Sequence, residues 1–106
     1  MKQFNDRELL DWERAYPEVI EVESRLVIEN RQTLMSLAMH YQECPPDNAI
    51  DALLAIEKLR KARDRLHISE HGLKMSKDAL ASATKTLNER GVLRSTNATV
   101  PAQGIR

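Results

Sequence analysis

Four side chains able to ligate a metal sit in two pairs four residues apart, His40 with Cys44 and His67 with His71. On a helix that spacing puts each pair on one face, and thiolate and imidazole are donors that zinc accepts. The usual zinc fingers instead join a Cys pair to a His pair inside a compact hairpin, so no metal is assigned here and no cofactor is expected. His40 and Cys44 are read as covering a helix terminus. The same two residues resemble a base beside a nucleophile, but nothing in the sequence supplies a pocket or a third group to orient the base. Glu18, Glu21 and Glu23 belong to a dense acidic face, where a carboxylate is ordinarily solvated rather than engaged in acid–base work. Gly72, Gly91 and Gly104 are isolated, which leaves no phosphate-cradling loop. No catalytic residue is assigned, and the chain is expected not to be an enzyme.

What remains is charge. The 16 basic and 16 acidic residues give a net charge of zero, but they are unevenly placed. Residues 1–56 hold eleven acids against five bases and residues 57–106 the reverse, about −6 and +6 by formal counting. Either the acidic and basic helices pack on one another and set their register, or the basic half meets phosphates while the acidic half meets something else. Phe4, Trp12, Tyr16 and Tyr41 all lie in the acidic half, so a stacking platform for single strands is not expected. The bases of residues 58–65 have no Trp or Phe beside them to enter a bilayer, and no segment approaches the length of a membrane span.

The elements that must carry these residues read as helices. With 106 residues, 4% aromatics, three glycines and four prolines, the chain suits one all-α domain of three or four helices with a long helical hairpin. Asn5 and Glu8 form a capping-box pair that starts a helix over about residues 6–15. Pro17 suits the first turn of a new helix, which places a kink or break at Tyr16. A helix over 17–43 follows, with Ile20, Val27, Leu34 and Tyr41 every seventh residue. Cys44-Pro45-Pro46 ends it, and Asp47 or Asn48 caps a helix over 47–66 whose inward stripe is Ala49, Leu53, Ile56, Leu59 and Leu66. A turn or short helix covers His67–Gly72. Ser76 then caps a last helix over 76–90, with Ala79, Leu80, Ala83 and Leu87 inward and Gly91 in the left-handed position beyond its end. Residues 93–106 form a short irregular or wing-like tail.

Residues 76–94 combine a capping Ser, Ala79 and Leu80 at the third and fourth positions on, an inward Leu87, and Arg90-Gly91 leading into Val92-Leu93. This stretch, about a fifth of the chain, resembles the recognition helix and wing entry of winged helix-turn-helix regulators. That resemblance implies that Lys77, Ala81, Ser82 and Lys85 face a major groove and that Arg94 meets phosphate at the wing. An amphipathic helix ended by glycine accounts for the same residues without DNA.

The first fifteen residues hold no apolar run, so no signal peptide is expected, and the single Cys44 fits a reduced, cytoplasmic setting. The leading expectation is a small non-enzymatic regulator, homodimeric through the helix at 17–43, that binds DNA through Lys58, Lys61, Arg65, Lys77, Lys85, Arg90 and Arg94. The rival is an inhibitor or adaptor whose acidic N-terminal helices occupy a basic surface on another protein.

Overall fold

In a computed structural model, which describes residues 4–94, the chain is all-helical and forms one antiparallel hairpin of two long helices. Helix α1 spans Asp6–Glu43 and α2 spans Ala49–Glu89. The molecule is 69 Å long and 15 Å thick, with a radius of gyration of 21.4 Å. A globule of this length would have a radius of gyration of about 13 Å. The expected three or four helices are therefore corrected to two, and two expected breaks are absent.

The first absent break is at Pro17, which lies inside α1 and is exposed. Proline there forfeits one backbone hydrogen bond, a cost of about 3 kcal/mol. The helix persists because both sides of it are held against α2: before Pro17, Leu9 joins Ala83 and Leu87 in a buried cluster with Phe4, Leu10, Trp12 and Val92 packed on it, and after it Val27 is buried. The second is at His67–Gly72, where α2 runs straight through. Ser76 consequently lies buried in mid-helix rather than at a cap. Residues 76–89 are the last third of one continuous helix, not a helix of their own. The expected wing beyond Arg94 lies outside the described residues.

The helix ends obey local chemistry. Asn5 accepts from the Glu8 amide at 2.8 Å while Glu8 accepts from the Asn5 amide at 3.0 Å, the full reciprocal box. Cys44 closes α1, its amide donating to the His40 carbonyl at 2.8 Å, and Asn48 opens α2 by accepting from the Asp51 amide at 2.9 Å. Between them, Pro45 and Pro46 prevent either helix from continuing. At the far end Gly91 has φ +69°, with Gly91 donating to the Asn88 carbonyl and Val92 to that of Leu87. This is a Schellman closure, and Val92 adds the apolar contact that accompanies it.

The seam between the helices has a seven-residue period. On α2, Ala55, Ala62, Ser69, Ser76 and Ala83 recur every seventh residue, all buried, beside Leu59, Leu66, Leu73, Leu80 and Leu87 at the same interval. On α1 the expected row Ile20, Val27, Leu34 and Tyr41 is buried or half-buried. Asn30 crosses mid-seam, donating to Ser69 Oγ at 3.1 Å, while Ser69 donates to the Leu66 carbonyl at 2.8 Å. Gly72 lies beside Glu23: a Cβ at this position would come 3.2 Å from Glu23 Oε2. A helix-weakening glycine thus leaves room for a carboxylate.

Two substitutions test this account. Leu87→Ala, at a fully buried position, is expected to cost about 2–5 kcal/mol in urea unfolding, whereas Leu93→Ala, 91% exposed, should change stability by less than about 0.5 kcal/mol. Pro17→Ala should raise stability by about 1–3 kcal/mol, because it restores the missing amide at an exposed position.

Candidate functional site

The seven cations expected to meet DNA are distributed over three places. Arg90 donates to the Phe4 carbonyl at 3.0 Å and to Asp6 at 2.8 Å, tying the end of α2 to the start of α1. Arg94 clasps Glu13 with two nitrogens, at 2.6 and 2.8 Å, and also donates to the Val92 carbonyl at 2.8 Å. Thr84 donates to the same Glu13 carboxylate at 2.8 Å. Arg90 and Arg94 are therefore engaged in closing the open end of the hairpin. The Arg94 guanidinium holds the Glu13 carboxyl below the usual glutamate range, with burial opposing and the Thr84 hydroxyl assisting, and Glu13 in turn raises the pKa of Arg94.

Lys58, Lys61 and Arg65 are three and four residues apart, exposed on one side of α2, and make no ion pair among the described residues. Lys77 and Lys85 lie about 120° and 160° around the helix from Arg65, at 100° per residue. The basic half of the chain therefore wraps around α2 instead of forming one face. Its other cations among the described residues are matched to near neighbours, Lys74 with Asp78 at 2.9 Å, Arg63 with Asp64 at 3.7 Å, and Arg60 with Glu57, while Arg31 of the acidic half pairs across the seam with Glu70 at 3.4 Å.

The histidines and the cysteine do not converge. Cys44 is exposed at the end of α1, and the His40 ring lies edge-on to Tyr41 with centroids 5.1 Å apart. His40 and Cys44 do stand at the end of α1, where the Cys44 backbone amide makes the closing bond to the His40 carbonyl and both side chains are exposed. Among the described residues no group of three His, Cys, Asp or Glu is placed to hold a metal. None of the helices among them is long and apolar enough to cross a membrane.

The surface feature that the sequence reading missed is at the other end, around the turn. Leu53 and Ile56, expected inward, are 66% and 59% exposed, and Ile50 reaches 71%. Leu54, Met35 and Met39 are also more than half exposed. The inward places at the start of α2 go to Ala52 and Ala55, because a five-residue connection draws the helices together and small side chains fit that approach. The signal was the seventh-residue row of Ala and Ser beside the seventh-residue row of Leu, which shifts the inward stripe off Leu53 and Ile56. Around this apolar tip stand Glu43, Asp47, Asp51 and Glu57.

The clasp at the open end gives a pH signature. A carboxyl whose folded pKa is lowered contributes stability that is complete above its unfolded value, about 4.3, and is lost as pH falls through the folded value. Wild type should therefore lose more stability than Glu13→Gln between about pH 5 and pH 3, read by thermal unfolding at each pH. No protein-family model matches the chain, nor does any curated protein or solved structure.

Proposed function

We propose that the chain is a non-enzymatic protein-binding module, an inhibitor or adaptor, that engages its partner through the tip of the hairpin. The observation that carries this reading is the start of α2. Ile50, Leu53, Leu54 and Ile56 point to several sides of the helix and all are more than half exposed. Large apolar side chains grouped this closely and left this exposed ordinarily mark a surface that meets a partner. Met35 and Met39 extend the patch onto α1, and flexible thioether side chains suit a surface that adapts to a partner. Each large side chain fully covered is worth about 1.5–3 kcal/mol, so covering most of the six together is what offsets the cost of association. With Glu43, Asp47 and Asp51 around the tip, and Glu57 already matched by Arg60, the fitting partner presents an apolar groove with a basic rim toward the turn.

The nucleic-acid reading is supported by Lys58, Lys61 and Arg65, which stand together with no ion pair among the described residues. It lacks Arg90 and Arg94, which hold the open end of the hairpin together.

A photo-crosslinking residue at Leu54 should give a discrete protein adduct in cells, one at Lys85 should not, and Leu53→Glu should remove the adduct while circular dichroism stays helical. Absence of any adduct at Leu54 overturns the reading. Binding to random duplex DNA that falls steeply with salt and disappears in Lys58→Glu/Lys61→Glu would replace it with the nucleic-acid one.

A further inference from the structure

A second broad surface lies midway along the hairpin, away from the tip. On α1, Val19, Val22 and Leu26 are three and four residues apart, and 40%, 54% and 45% exposed. On α2, Arg65, Ile68, Gly72 and Met75 share one side at spacings of three and four, with Ile68 and Met75 both exposed. The close approach of Gly72 to Glu23 brings the two rows to either side of one shallow trough. Glu23 lies at its floor: Oε1 is buried and meets no hydrogen-bond donor among the described residues. Arg65 stands at its edge, its guanidinium likewise without a partner among the described residues.

An unsatisfied carboxylate oxygen in an apolar surface is costly until a donor arrives, and a guanidinium is the donor that matches a carboxylate best. The chain carries both halves of that pair on the same surface. The Asn30 side chain, seven residues beyond Glu23, donates to the Arg65 carbonyl at 3.4 Å, which places Arg65 roughly 10 Å along the hairpin from Glu23 at 1.5 Å per residue. A two-fold axis lying in this face, across the hairpin at the level of Ile68, brings each Arg65 level with the Glu23 of the other copy and lays the apolar rows on one another.

We infer that the occupant of this trough is a second copy of the chain, packed antiparallel across the Val19–Leu26 and Arg65–Met75 rows, with Arg65 of each copy on Glu23 of the other. Such an interface is isologous, so the two contacts form together. It converts a single helical layer into a four-helix bundle and covers apolar side chains that the hairpin alone leaves in water. It is independent of the tip, which points away along the long axis.

Sedimentation equilibrium should give twice the 12.1 kDa chain mass at about 100 µM. Ile68→Asp should abolish the dimer with helicity retained. Glu23→Gln and Arg65→Met should each weaken it about tenfold, and the double variant no more than either alone, because both remove one interaction. A monomer at that concentration overturns the inference, as does a dimer indifferent to Ile68→Asp or additive losses in the double variant. A dimer broken by Leu53→Glu and not by Ile68→Asp overturns it too, by moving the interface to the tip. Loss of the tip adduct with the dimer intact counts only against the partner reading.

Discussion

The close approach of two helices along one seam is the constraint from which the rest follows. A lone pair of helices can bury only the sides that face each other, so the gain depends on how near the axes come. The Ala and Ser row of α2 lets α1 approach, and the adjacent Leu row fills the remaining space. Where the approach is closest to the connection, Ala52 and Ala55 take the inward places and larger neighbours are turned outward. The apolar tip is thus a result of the packing that forms the seam.

The same geometry explains why a neutral chain is built from two charged halves. Folding sets the acidic start of α1 beside the basic exit of α2, and the two ends are joined by Asp6 with Arg90 and by Glu13 with Arg94. Further along, Arg31 and Glu70 link the helices with the signs reversed, base on α1 and acid on α2. The more exposed of these pairs add little stability each and act chiefly on alignment, whereas the part-buried Glu13–Arg94 clasp also contributes stability. The Asp6–Arg90 and Glu13–Arg94 pairs offset part of the charge asymmetry, and among the described residues of the basic half Lys58, Lys61, Arg65, Lys77 and Lys85 stay outside any ion pair.

The parts of the fold governed by nearest neighbours were legible. Asn5 with Glu8, Pro45-Pro46 with Asn48, and Gly91 act through their own backbone within a few residues, and each stands where the sequence placed it. The heptad row of α1 was visible for the same reason, since periodicity is a local property. Misreadings arose where tertiary packing outweighed a local signal. Pro17 and the His67–Gly72 stretch carry residues that weaken a helix, yet α2 and α1 support each other through both. Leu53 and Ile56 were placed inward because they are large and aliphatic, whereas the seam accepted the alanines beside them. Arg90 and Arg94 looked free because their partners, Asp6 and Glu13, are more than eighty residues away in the chain.

The antiparallel path also sets a mechanical property. Phe4 and Arg94 leave the hairpin at the same pole, so tension applied between them acts across the seam rather than along it. The molecule would then open like a zipper, one rung after another, instead of shearing all rungs at once. The first rungs to bear the load are the Arg90 and Arg94 clasps and the Leu9, Ala83 and Leu87 cluster, where the chain concentrates its tightest packing. The turn at Pro45 and Pro46 is the last to feel the force.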